Sequence, residues 1–272
     1  MPQQTEKLAV VDPIWSAMRQ EALQIAGAEP AMAAMVHQAV LAHDGFEAAL
    51  AARLADKLAS NDLPAPRLDP LFVEVLAADA EIAVCLRADI AAVRDRDPAS
   101  RSVLKPLLFL KGFQALATHR IAHWLWLQGR QSLALHLQSR SAEVFGVDIH
   151  PAARFGRGVF IDHATGVVVG ETAVVEDDVS MLQGVTLGGT GKETGDRHPK
   201  IRRGVLISAG AKVLGNIEVG AHAKIGAGSV VLHDVPAGCT VAGVPAKLVG
   251  KCGSEHPARE MDHSLPAAPP EA

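Results

Sequence analysis

His163 stands next to Asp162, and Asp148 precedes it by 15 residues. An imidazole titrates near pH 6.5, so at neutral pH it can take a proton from a hydroxyl while that hydroxyl attacks an electrophile. A nearby carboxylate would orient the ring and stabilise its charged form. The same residues also read as a polar corner in solvent, and their types alone do not choose. Further on, Arg197-His198 sets a guanidinium beside a second imidazole. The guanidinium fork matches a carboxylate through two parallel hydrogen bonds. His119 and His123 share an i, i+4 spacing that can bind metal. With no third ligand and no HExxH glutamate they read as ordinary helix residues, and no metal is expected. There is no P-loop or dinucleotide fingerprint, so a nucleoside triphosphate or NAD is not indicated.

These residues need a scaffold, and glycine marks where it changes. Only Gly27, Gly45, Gly112 and Gly129 precede residue 146, out of 24 glycines in the 272-residue chain. The Ala- and Leu-rich first part has helical spacing. Ile14, Met18, Ala22 and Ile25 follow Asp12-Pro13, a cap residue and a proline suited to the first helical position. Phe46, Leu50, Leu54 and Leu58 recur every fourth residue. Asp69-Pro70 is predicted to open a helix running towards Asp97-Pro98, and another passes Leu116, Ile121 and Trp124 to about Ser139.

In the second part apolar residues return every six positions: Ile149, Phe155, Ile161, Val167, Ala173, Val179 and Val185, then Ile201, Ile207, Val213, Val219, Ile225 and Val231. The gap from Val185 to Ile201 predicts about ten residues, Gly191 to Lys200, inserted between intact repeats. Three hexads close one triangular coil, with each aliphatic side chain stacking on its counterpart about 4.8 Å away. The expected fold class is α+β: a helical domain over 1–140, a parallel β-helix over 141–250 and a flexible Pro/Ala-rich tail over 251–272.

Composition narrows the function. The chain is 49% hydrophobic with a net charge of −4, and no basic stripe with interleaved aromatics appears, so nucleic acid is not an expected partner. The N-terminal residues do not read as a signal peptide, and the apolar run Leu107 to Leu110 is too short to span a bilayer. Cys85, Cys239 and Cys252, odd in number and without CxxC spacing, argue against disulfides and suit a reducing cytoplasm.

Several segments together resemble serine O-acetyltransferase. They are Asp148-Ile149-His150-Pro151-Ala152-Ala153, Asp162-His163-Ala164-Thr165-Gly166, Gly184 to Gly191, Asp196-Arg197-His198-Pro199-Lys200-Ile201 and Ala242-Gly243-Val244-Pro245-Ala246-Lys247. Arg94-Asp95-Arg96-Asp97-Pro98 and Leu110 to Trp126 add to the resemblance in the helical half, which covers roughly 12–250. It implies a left-handed β-helix and transfer of acetyl from acetyl-CoA to L-serine, giving O-acetylserine for cysteine synthesis. It also implies that Asp148 and His163 form a catalytic dyad and that His198 and Asp97 join the site. Arg197 suits the substrate carboxylate, and Asp97 with Asp162 the ammonium.

For the acetyl-CoA co-substrate, small residues at Gly189, Ala209 and Ala227 would admit the pantetheine arm, and Lys224 and Lys247 would meet its phosphates. The resemblance further implies trimers or paired trimers, active sites between subunits, and feedback by L-cysteine competing with serine. It implies docking to O-acetylserine sulfhydrylase through a C-terminal isoleucine, which the ending Pro269-Pro270-Glu271-Ala272 lacks. Another hexapeptide O-acetyltransferase is the alternative. A γ-type carbonic anhydrase is the more distant one, short of the paired histidines that hold its zinc.

Overall fold

A computed structural model of the chain describes residues 12–99, 101–191, 193–253 and 255–265; the N-terminal segment 1–11 and the Pro269–Ala272 ending lie outside them. Among the described residues eight α-helices come first, with a π-helical turn His37–Leu41 after the second: α1 (Pro13–Ala28), α2 (Pro30–Val36), α3 (Phe46–Leu58), α4 (Ala65–Ala78), α5 (Ala80–Arg96), α6 (Lys105–Phe109), α7 (Lys111–Leu127) and α8 (Gln131–Phe145). Asp12 caps α1, its carboxylate accepting from the Ile14 and Trp15 N–H groups at 3.0 and 3.1 Å.

Two predicted starts and stops move. The helix expected to open at Asp69-Pro70 already begins at Ala65, and Pro70 lies inside it. Pro66 occupies the first turn, where a missing N–H costs no intrahelical bond. The stretch towards Asp97 is two helices, because Asp79 leaves helical geometry and caps α5. The helix expected to reach Ser139 is likewise split into α7 and α8, with Gly129 at φ 76° between them.

The second half is a parallel β-helix of five coils. They contain β1 (Val147–Ile149), β2 (Arg154–Phe155) and β3 (Phe160–Ile161); β4 (Val167–Val169), β5 (Val174–Val175) and β6 (Ser180–Met181); β7 (Thr186–Gly188), β8 (Lys200–Ile201) and β9 (Leu206–Ile207); β10 (Lys212–Leu214), β11 (Glu218–Val219) and β12 (Lys224–Ile225); then β13 (Val230–Val231), β14 (Thr240–Gly243) and β15 (Ala246–Leu248). Strands stack in parallel into three faces, β1-β4-β7-β10-β13, β2-β5-β8-β11 and β3-β6-β9-β12-β14, and β15 turns back antiparallel onto β14. Each hexad position is buried except Phe155, which is partly so.

The stacking register corrects the repeat count. On the face of β1, β4 and β7 burial falls on alternate positions, so two interleaved six-residue series point inward, such as Val167 and Val169 or Val185 and Leu187. Ile161 stacks on Met181 and Ile149 on Val169, a separation of 20 residues and not 18. Val169 stacks on Leu187 at 18, and Leu187 on Val213 at 26. A six-residue pattern read along the sequence crosses from one series to the other after Ile161 and back at Ile201. The ten extra residues are therefore divided: two between β3 and β4, and eight between β7 and β8.

One apolar cluster runs from Trp15 through both halves to Val241. Gly112 sits where a Cβ would fall 2.0 Å from the Ile161 carbonyl oxygen, so α7 lies directly on the first coil. Nearby, Arg120 of α7 grips Asp89 of α5 through two bonds of 2.9 and 3.1 Å and donates to the Gly156 carbonyl at 2.6 Å. Asp89 also accepts from Val159 N–H at 2.9 Å. This buried pair stitches helices to coils.

The tail, expected to be flexible, touches the coils at several points in its described part. Cys239 and Cys252 form a disulfide, contrary to the prediction from cysteine count, because the chain doubles back beside β14; Cys85 is free. Helix α9 (Pro257–Glu260) follows, with Ala258 buried and its carbonyl accepting from Ser180 Oγ at 2.8 Å. Met261 packs near Phe160, and Leu265 lies over Gly226. Among the described residues no helix is long and apolar enough to cross a membrane.

Candidate active site

His163 occupies the turn holding the two extra residues between β3 and β4. Both it and Ala164 have left-handed backbone, φ 56° and 60°, which side-chain-bearing residues adopt at a cost. The His163 N–H donates to Asp162 Oδ1 at 2.9 Å, and its Nε2 lies 3.6 Å from Asp162 Oδ2. The ring is 69% exposed.

Asp97 comes to the same place from the helical half. It ends α5, one residue after Arg96, whose guanidinium is pinned to Asp178 at 2.8 Å and Ser180 Oγ at 3.0 Å. Asp97 Oδ1 accepts from Ala99 N–H at 2.8 Å, and Oδ2 faces Lys105 Nζ at 3.7 Å. Asp97, Asp162 and His163 line one cavity of about 440 Å³ with Lys105, Phe109 and Phe160. Lys111, beside Gly112, also borders it and binds Thr165 Oγ1. Two carboxylates, an exposed imidazole and an apolar wall thus share one opening. That combination can bind an ammonium group and take a proton.

Asp148 is placed differently from the dyad the resemblance implies. It lies half-buried on β1, and its Oδ1 accepts from Gln138 Nε2 of α8 at 2.7 Å. The carboxylate facing the His163 ring is Asp162.

Arg197 and His198 do not line the cavity; they form a second cluster on the other face of the loop-bearing coil. Arg197 Nη2 meets Glu171 Oε2 at 2.7 Å, and this guanidinium holds the Glu171 carboxyl below its usual range. His198 is buried, and burial first, then Arg197, pushes its imidazole down. Its ring lies over Gly170, where a Cβ would meet Nε2 at 2.0 Å. His150, with its ring edge on Trp126 at 5.0 Å, is pushed down by burial too. Glu171, Thr172 and Gly170 are absent from the sequence reading, since a polar hexad corner looks like any other solvated corner.

The residues expected at the acetyl donor divide as well. Gly189 borders Arg197 and His198, Ala209 is half-buried, and Ala227 and Lys247 are exposed. Lys224 departs from expectation: it is buried, and its ammonium binds the Ser264 carbonyl and faces Asp262 at 3.8 Å. The tail thus occupies the group expected to meet phosphate. His263 adds a bond to Ser208 Oγ at 2.9 Å and feels the charge of Asp162. His119, on α7, is buried with Nδ1 unpartnered, and its ring stands 5.8 Å from that of His123. Among the described residues no three His, Cys, Asp or Glu side chains converge as metal ligands.

Comparison with known proteins bears on both halves. Residues 14–118 match the family model for the serine acetyltransferase N-terminal region, and 198–233 match the bacterial transferase hexapeptide model. A serine acetyltransferase of Salmonella typhimurium is 57% identical over 249 residues, covering 92% of this chain and 91% of that protein. A serine acetyltransferase from Brucella abortus solved with coenzyme A superimposes with TM-score 0.88 at 56% identity, over 90% of this chain and 98% of that one. A further one, solved in complex with cysteine, gives TM-score 0.91 at 53% identity over 93% and 98%.

Proposed function

This chain belongs to the serine acetyltransferase family and is an acyltransferase, and we propose that it moves the acetyl group of acetyl-CoA to the hydroxyl of L-serine. The products are O-acetyl-L-serine and CoA, as a step towards cysteine. The observation that carries the mechanism is the meeting of Asp97, Asp162 and His163 on one cavity.

In this reading the His163 imidazole takes the hydroxyl proton as the serine oxygen attacks the thioester carbon, with no acetyl-enzyme in between. The C–S bond of the tetrahedral intermediate then breaks, and the imidazolium returns its proton to the departing CoA thiolate. Asp162 faces the ring and stabilises its charged form, the part that the resemblance gives to Asp148. Asp97 and Asp162 hold the substrate ammonium. Arg197 and His198 receive the carboxylate; their placement outside the cavity favours a loop contributed by a neighbouring subunit of a trimer. Gly189, Ala209, Ala227 and Lys247 border the acetyl-CoA path, a role favoured by the relative solved with coenzyme A. The relative solved with cysteine supports L-cysteine as an inhibitor that competes with serine.

Release of the CoA thiol from acetyl-CoA with L-serine tests the proposal. Serine-dependent release should fall about a hundredfold or more in His163→Ala. Release with a sugar but not with serine would overturn the substrate, and full activity in the variant would overturn the base.

A further inference from the structure

Thr172 touches His198 in more ways than its sequence position would suggest. Its hydroxyl accepts from the backbone N–H of Arg197 at 3.0 Å and of His198 at 3.1 Å. A hydroxyl has two acceptor sites and one proton. Both acceptor sites are taken by groups that can only donate, so the proton has two acceptors in reach, His198 Nδ1 at 2.9 Å and the Asp196 carboxylate. The Thr172 backbone N–H donates to that same nitrogen at 3.1 Å. Nδ1 is therefore an acceptor, and a proton there would confront the backbone N–H that points at it.

We propose that Thr172 is a positioning residue that holds His198 as a neutral imidazole with its proton on Nε2, a hydrogen-bond donor to the bound acceptor and not a base. Gly170 leaves the space the ring fills. The inference rests on the reading of His198 as part of the serine site. Its consequence is a division of labour between two imidazoles: His163 accepts the hydroxyl proton, and His198 cannot compete for it. The charged groups facing the ring are Arg197 and Lys200, which oppose a positive charge there, and Glu171, which favours one; His150 stands near as well. Burial sides with the first two.

Full-length protein labelled with 15N-histidine tests the assignment without turnover, the His198 signals being those lost in His198→Gln. Wild-type protein should show a pyridine-like Nδ1 and a pyrrole-like Nε2, with the ring protonating at lower pH than a free imidazole. Thr172→Val should lose this signature and raise KM for serine about tenfold with a smaller change in kcat, and Thr172→Ser should restore both. Should Thr172→Val fail to fold, Gly170→Ala, which drives a methyl into the ring, should displace the same signals and raise the same KM. A proton on Nδ1 in the wild type, or unchanged signals and KM in folded Thr172→Val, would overturn the proposal. Wild-type protein with the expected signature but no serine-dependent release would instead overturn the function on which the site-facing half of the inference rests.

Discussion

In the helices the core is made by large side chains arriving from segments distant in sequence, Phe46, Leu50, Phe72 and Leu86 among them. In the coils it is made by aliphatic residues each stacking on a partner one turn away, as Ile201 does on Val219. A contact of the first kind depends on the whole arrangement, whereas one of the second kind depends on its neighbours. The site draws on both. The coils carry the imidazoles, Arg197 and Asp162, while the helices contribute Asp97 and the wall of the cavity.

The strongest way to break this contrast is at the joint. Asp89→Ala leaves Arg120 charged and buried without its partner, and should cost about 3–5 kcal/mol. Helices and coils should then unfold in one transition at a lower urea midpoint. Two separate transitions would mean that the halves do not share a core. A smaller loss is expected at the far end. Cys239→Ser opens a loop of 13 residues, worth at most about 3 kcal/mol in a chain-entropy account. In oxidised protein, hydrogen exchange should quicken in the fifth coil and the tail and stay unchanged in α1–α8. Equal quickening in the helices would show that the coils do not act as independent neighbours.

The smallest effect concerns pH. Burial pushes His150, His198, His222 and His263 down in the coils and tail, and pushes His119 of α7 well below the usual imidazole value. A base held below its unfolded value contributes stability that is present above about pH 6.5 and lost as pH falls through the folded value. Asp89, in the helices, runs the other way: burial pushes it up to about 6, so its contribution is present at low pH and lost as pH rises through that value. Acidification from pH 7.5 to 5.5 should therefore lower the urea midpoint, with amide exchange accelerating around His119 in α7 as well as in the coils. A midpoint that rises on acidification would contradict this.

The legible parts of the sequence were those with a local cause. Asp12-Pro13 caps a helix by itself, and the hexads mark inward positions whichever strand they fall on. The split at Asp79 and the start at Ala65 have local causes too, a capping carboxylate and Pro66 in a first turn, but Asp69-Pro70 offers a competing start that hides them. His163, Asp162 and Asp97 could be singled out by chemical type and resemblance, and they meet in one cavity. Lys224 could not be read, because its partners lie in the tail, 38 and 40 residues away, without a periodic trace. Thr172 was invisible for a related reason. Its importance lies in how many bonds its hydroxyl makes, and composition does not count bonds.

The two extra residues between β3 and β4 have a meaning beyond geometry. A solenoid of identical coils has translational symmetry: it offers every corner again one turn along, and a ligand has no ground for preferring any. Here the symmetry is broken twice, once by the two residues at His163 and once by the eight that carry Arg197 and His198. Each break gives one corner an address. The repeats confer rigidity on every coil alike, and the interruptions tell the substrate where to go.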